Sequence, residues 1–217
     1  MNVTGPRFIP DLNHGAIRPP VRPVTDASGT GTDADQERRW LEAMAAGRHE
    51  ALACLYERRG AALYSLFLRM LGSTQEAEEL LQDAFVQFWR RAGAYEPEKA
   101  SPWTWMVMIA RGMAVDRLRS RARRQVHLTA YEQEVASLEV EHLNPTLSLA
   151  DRESADRVGA ALRRLPDPQR EAIELAFYRG WTHEEISRAS GQPLGTVKSH
   201  IRRGMLALRQ LLKDFYA

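Results

Sequence analysis

The sequence predicts an all-α protein of two small helical domains, a helical bundle followed by a helix-turn-helix unit, joined by an acidic linker. Three observations predict it. Apolar residues recur every three or four positions from residue 36 to about 120 and again from about 162 to 212, and nowhere alternate as a half-buried strand requires. Glycines and capping hydroxyls break that periodicity into helix-sized pieces at Gly47, Gly72, Ser73, Ser101 and Gly191. Between the two periodic stretches, Glu132, Glu134, Glu139, Glu141, Asp151 and Glu153 stand against Arg152 alone, and Pro145 breaks any long helix there. The expected domains are a Pro-rich disordered arm at 1–34, a helical bundle at 35–124, a linker at 125–154 and the helix-turn-helix domain at 155–217.

The elements follow in order. The arm holds Pro6, Pro10, Pro19, Pro20 and Pro23 with no sustained periodicity. Trp40, Leu41 and Met44 mark a first helix that Gly47 closes. Leu52, Leu55, Tyr56, Leu63, Leu66, Phe67 and Met70 mark a second, closed by Gly72. Ser73 or Thr74 opens a third, on which Ala77, Leu80, Leu81, Ala84, Phe85, Phe88 and Trp89 form the most regular apolar stripe of the chain. Its polar face starts acidic, with Glu76, Glu78, Glu79 and Asp83, and ends basic at Arg90 and Arg91, an order that suits the helix dipole and also leaves an acidic ridge. Residues 93–99 read as a loop. Ser101 with Pro102 behind it starts a fourth helix through Trp103, Trp105, Ile109, Val115 and Leu118 into RLRSRARR, which packs five arginines into 117–124. Such a strip beside tryptophans suits a nucleic-acid backbone with unstacked bases. Trp105 is expected in the core.

The second domain is built around residues 181–212. Leu162, Leu165, Ile173, Leu175, Ala176 and Phe177 precede it on two helices. Thr182 and Glu185 have capping-box spacing, so a short helix starts there and is expected to bury Ile186 and Ala189; Gly191 and Pro193 make the turn. In the helix that begins near Gly195 or Thr196, the expected buried stripe is Val197, Ile201, Met205, Leu208 and Leu212. The opposite face then carries Ser199, Arg202 and Arg203, flanked by Lys198 and His200. A basic helix after a capped helix and a tight turn is what a DNA major groove accepts, with arginine forks for guanine and short donors for phosphate.

Composition excludes other classes. The 217 residues are 44% hydrophobic with a formal net charge of +2, ordinary for a soluble globular chain. The lone cysteine, Cys54, lies among Leu52, Leu55 and Tyr56, where it reads as a small core residue of a reducing compartment. There is no membrane-length apolar run and no secretory pattern, so a cytoplasmic protein without membrane contact of its own is expected. Glycine-rich phosphate loops, nucleophile elbows and metal-spaced His/Cys clusters are absent; His183-Glu184-Glu185 lacks the second histidine of a zinc motif. No catalytic residue, metal or cofactor is expected, and the chain is not read as an enzyme.

Two stretches, LLQDAFVQFWRRAGAYEPEKASPWTWMVMIARGMAVDRLRSRARR and LRRLPDPQREAIELAFYRGWTHEEISRASGQPLGTVKSHIRRGMLALRQLL, resemble the second and fourth conserved regions of bacterial extracytoplasmic-function (ECF) RNA polymerase sigma factors of the sigma-70 class. The resemblance implies binding to core RNA polymerase, direction to promoters and help in opening the duplex. It assigns Glu79, Gln82 and Asp83 to docking on the polymerase. Within Trp103 to Arg119 it assigns Trp103, Arg111, Gly112, Arg117 and Arg119 to the single-stranded minus-10 element. Thr196, Lys198, Ser199, His200, Arg202 and Arg203 fall to the minus-35 element. Many members carry asparagine where this chain has Gly112, so the usual minus-10 sequence is not implied. The resemblance also implies an anti-sigma factor as partner. The alternative from the residues is a helix-turn-helix regulator, since TVKSHI is also similar to the reader helix of LuxR-type proteins, with a sensing or dimerising first domain.

Overall fold

A computed structural model describes residues 33–128 and 157–213. The Pro-rich arm up to residue 32, the acidic linker over 129–156 and the last four residues lie outside the described residues. The described residues are helical, without a strand.

The first lobe holds four α-helices: α1 (Asp33–Ala45), α2 (His49–Leu71), α3 (Thr74–Arg91) and α4 (Pro102–Leu128). Gly72 stops α2 by entering the left-handed region at φ 70°, where its N–H reaches the Leu68 carbonyl. One residue on, the Ser73 hydroxyl accepts the Glu76 N–H and starts α3, so a two-residue hinge folds the two longest apolar stripes together. Leu41, Leu55, Leu63, Phe67, Phe88 and Met106 lose all contact with water between these helices. At roughly 1.5–3 kcal/mol for each large apolar side chain removed from water, these residues dominate the stability of the lobe. Ala77, Ala84, Ala110 and Ala114 are equally buried and let the helix axes approach closely.

The stretch expected as a loop over 93–99 begins with a single 3₁₀ turn, Ala92–Ala94, because α3 tightens as it ends. The Tyr95 hydroxyl then donates to the Ala100 carbonyl, and the Ser101 hydroxyl accepts the Thr104 N–H to start α4. Trp105 sits where the stripe pattern puts it, edge-on to Tyr95 with ring centroids 5.7 Å apart and tilted on Phe88. One feature the apolar pattern does not carry is Glu37, 1% exposed in this core. Arg59 Nε donates to it at 2.5 Å, and the same guanidinium covers the Trp103 ring at 4.7 Å from its centroid.

The second lobe comprises α5 (residues 157–163), α6 (Asp167–Phe177), α7 (His183–Ser190) and α8 (Leu194–Lys213). Its core is Ala161, Leu162, Leu165, Ile173 and Leu208. Two sequence expectations are corrected here. Met205 is not in the buried stripe of α8 but 54% exposed, and Gly204 takes its place. A Cβ on Gly204 would lie 2.6 Å from Ile173 Cδ1 and 3.2 Å from Gln169 Cβ, so α8 passes α6 closely here and a larger residue would have to displace the Ile173 side chain. A stripe counted from apolar side chains skips a glycine and is pushed one residue on. Ala189, expected inside, is exposed; α7 is only two turns long and covers its neighbours through Ile186 alone.

Candidate nucleic-acid interface

The helix-turn-helix is held by local hydrogen bonds. Thr182 accepts the Glu185 N–H at 3.2 Å, while the Glu185 carboxylate accepts the Thr182 N–H at 2.6 Å, closing a capping box at the start of α7. These backbone and hydroxyl hydrogen bonds to Thr182 hold the Glu185 carboxyl below its ordinary value. Gly191 turns the chain at φ 68°. The Ser187 hydroxyl donates to the Gln192 carbonyl at 2.6 Å and the Ser190 hydroxyl donates to the Ile186 carbonyl at 2.8 Å. Val197, 1% exposed, fixes the start of α8 inside the lobe.

With that stripe inside, α8 turns a basic face outward. Lys198, Arg202 and Arg203 are exposed, and Thr196 and Ser199 are half-buried. His200 is different: it is half-buried and its Nδ1 is shut off from water, so it belongs to the flank rather than the face. The exposed Leu206 continues the face by one turn, giving an apolar contact point beyond the arginines. Guanidinium forks spaced along one exposed helix face match what base edges and phosphates present in a major groove.

On α4 the structure separates residues that the sequence grouped. At ~100° per residue Met108, Arg111, Gly112, Val115 and Arg119 share one stripe. Gly112 is exposed, and a Cβ there would meet nothing within 4 Å. Trp103 and Arg117 lie on the other side of the helix. Trp103 is half-buried beneath Arg59. Arg117 reaches across to α3, donating to Glu79 at 3.3 Å and lying 3.8 Å from Asp83, so it joins the acidic ridge to α4. Arg121 approaches Glu76 in the same way at 3.8 Å. Gln82 and Asp83 stay exposed on that ridge.

The stripe of Arg111 meets the second lobe. Arg111 Nε donates to the Phe177 carbonyl at 3.1 Å and its Nη2 to the Ala176 carbonyl at 2.6 Å, while its guanidinium lies 5.2 Å from the Phe177 ring centroid. Burial, and then the Arg119 charge, lower its pKa from the ordinary arginine value. Arg119 Nη2 is 3.5 Å from the Gly180 carbonyl. Tyr178 packs on the first lobe's core with Arg69 over its ring at 4.1 Å, and burial raises its hydroxyl pKa. Tyr178 and Gly180 carry this contact and were not among the residues singled out from sequence. Gly180, breaking the chain just before the capping box, was the available signal.

A basic helix-turn-helix in one lobe and an arginine-rich helix beside an acidic ridge in the other describe a two-lobed, all-helical protein of the DNA-binding class. Residues 55–124 match the family Sigma-70 region 2, and residues 155–208 match Sigma-70, region 4. An ECF RNA polymerase sigma factor SigK of Mycobacterium sp. strain KMS is 35% identical over 163 residues, spanning 75% of this chain and 83% of that protein. The SigK of Mycobacterium bovis (strain BCG / Pasteur 1173P2) is 34% identical over 175 residues, spanning 79% and 91%. Among solved structures, Rhodobacter sphaeroides SigE in complex with the anti-sigma ChrR is 30% identical, with 82% of this chain and 99% of that one covered and a TM-score of 0.41. The chain belongs to the ECF sigma factors of the sigma-70 class, and the LuxR-like reading is set aside. Sigma factors are transcription initiation factors and not enzymes. No helix of the described residues is long and apolar enough to cross a membrane.

Proposed function

We propose that this chain binds core RNA polymerase, carries it to promoters of its own sequence class and helps open the duplex, working in the cytoplasm under an anti-sigma factor. The observation that carries the reading is the face of α8: Lys198, Arg202 and Arg203 exposed on a helix whose entry is fixed by a complete capping box and a hydroxyl-locked turn. In this reading Thr196, Lys198, Ser199, Arg202 and Arg203 meet the minus-35 element, with His200 positioning the helix from its flank. Arg111, Gly112 and Arg119 form the minus-10 face of α4, and Trp103 and Arg117 support it from behind. Glu79, Gln82 and Asp83 offer carboxylates and an amide to a basic polymerase surface. The domains are assigned as before, with the bundle extended to α1 at Asp33 and to the end of α4 at Leu128.

The test is run-off transcription with purified core polymerase on fragments from upstream of the protein's own gene. Initiation that depends on the protein, with a mapped start site, is the expected result. Duplex binding by the protein alone, with no gain to the core enzyme, would overturn it.

A further inference from the structure

We propose that α4 selects a thymine of the minus-10 strand through Met108 and Gly112: the bare turn at Gly112 lets the base lie against the helix backbone, and Met108 packs on its 5-methyl group. This selection presupposes the proposed binding of that strand by α4 and names the base it favours.

Gly112 lies in the interior of α4, where alanine is the favoured residue. Packing does not require the glycine, because a Cβ there would meet nothing within 4 Å. At Gly204, by contrast, a Cβ would lie 2.6 Å from Ile173, and Gly72 and Gly191 end their helices in the left-handed conformation. A helix glycine that neither its backbone nor its neighbours demand leaves a notch open to the outside, and close approach of a ligand to the backbone is what such a notch permits. Met108 stands one turn before it, about 40° away around the helix. It is 67% exposed, the most exposed large apolar side chain among the described residues. A lone apolar side chain on a surface is ordinary, but beside an open turn it forms a wall.

The chemistry of this face sets the base. Its exposed line runs Thr104, Met108, Gly112, Asp116 and Arg119. The Thr104 hydroxyl is engaged with that of Ser101 at 2.9 Å, Met108 offers only a thioether chain, and the peptide groups around Gly112 belong to the helix ladder. A recess walled by a thioether and helix-bonded backbone has little with which to tell bases apart by hydrogen bonds. Thymine alone of the four bases carries an apolar group on its edge, the 5-methyl, and the polarizable thioether of methionine also packs well on an aromatic face. Charge enters further along. Arg119 lies about 10 Å beyond Gly112 at 1.5 Å per residue, within reach of a phosphate of a neighbouring nucleotide.

Run-off transcription with purified core polymerase and the full chain tests this on the promoter of the protein's own gene. Each non-template minus-10 position carries each of the four bases in turn, and deoxyuridine in place of thymine, which removes the 5-methyl group alone. Wild type is expected to prefer thymine at one position and to initiate roughly fourfold less from deoxyuridine there, the effect of one buried methyl group. Met108→Ala should lower initiation from the thymine promoter and abolish the difference from deoxyuridine, while Met108→Leu should keep it; Met108 is exposed, so neither change disturbs the core. Gly112→Ala should melt no lower than wild type and still initiate less from the thymine promoter, a split that a purely structural glycine would not give. Any of three results overturns thymine selection: no position that prefers thymine over deoxyuridine and the other bases, a wild-type ratio retained in Met108→Ala, or wild-type initiation by Gly112→Ala. If wild type gives no protein-dependent initiation from any template, the reading of α4 falls together with the sigma activity, and that result comes before any base is varied.

Discussion

Replacing glycine by alanine at two helix-interior positions, Gly112 and Gly204, should move stability in opposite directions. The intrinsic term is the same for both: alanine in a helix interior is favoured over glycine by about 1 kcal/mol. At Gly112 nothing opposes it, because the new methyl group would meet no atom within 4 Å. Gly112→Ala should therefore stabilise the first lobe by nearly that amount. At Gly204 the methyl group would lie 2.6 Å from Ile173 Cδ1 and 3.2 Å from Gln169 Cβ, and Ile173 is itself 6% exposed with little room to turn. Overpacking a well-filled site costs about 1–3 kcal/mol, so the net change should be destabilising by about 1 kcal/mol. The two variants then differ by about 2 kcal/mol. For lobes of this size each kcal/mol moves the melting temperature by about 4–8 °C. Differential scanning calorimetry, supported by hydrogen exchange to assign each transition to its lobe, measures both. A Gly204→Ala variant that melts above wild type would refute the crossing of α6 and α8 at that residue.

Three further outcomes are expected. Thr182→Ala should cost about 1 kcal/mol of second-lobe stability by removing the cap of α7. Because the Glu185 carboxyl is held below its ordinary value, first by the Thr182 backbone N–H and then by its hydroxyl, the contribution of the box is full at neutral pH and lost as the pH falls below the carboxylate range; a wild-type pH titration of stability should show this loss and Glu185→Gln, which cannot titrate, should lack it. Arg202→Ala and Arg203→Ala should each lose about 1–3 kcal/mol of discrimination at the minus-35 element if the side chain contacts a base, measured as the ratio of run-off products from matched and mismatched promoters; unchanged selectivity in both would remove them from the reading face. Asp83→Arg should weaken binding to core polymerase in a co-sedimentation assay while the thermal melt stays within about 1 kcal/mol of wild type.

The helices were legible because their signals are local. Ser73, Ser101 and Thr182 cap where the sequence placed caps, and Gly72 and Gly191 adopt the left-handed conformation expected of helix ends. The basic face of α8 was legible for the same reason, since a helix with one buried stripe has its other face defined. What the sequence concealed depends on packing between elements. Gly204 contributes to the core through what it lacks, so no apolar count finds it, and Met205 was taken in its place. Glu37 looks like any surface acid of a first helix, and only the position of Arg59 on α2 explains its burial. Arg111 is visible in sequence only as a basic residue of the fourth helix, and its partners Ala176 and Phe177 lie more than sixty residues away.

Arg111 and Arg117 lie six residues apart on α4, and their surroundings make them unlike. Arg117 stands between Glu79 and Asp83 with its partners half or more exposed, where water screens the charges and such pairs contribute about 0–1 kcal/mol. It gives up those carboxylates readily, so a partner can bind the acidic ridge without first breaking the fold. Arg111 is more deeply placed, with two backbone carbonyls as acceptors and an aromatic ring beneath it. Hydrogen bonds from a charged group to such acceptors contribute about 1.5–3 kcal/mol, and removing the arginine leaves the end of α6 without them. Arg117→Ala should therefore leave the way the lobes meet unchanged, whereas Arg111→Ala should loosen it, read as faster hydrogen exchange at the end of α6. The same residue type six positions apart thus serves an outward surface in one case and a contact between the lobes in the other, and the difference is set by what each guanidinium reaches: exposed side-chain carboxylates on α3, or the backbone carbonyls that end α6.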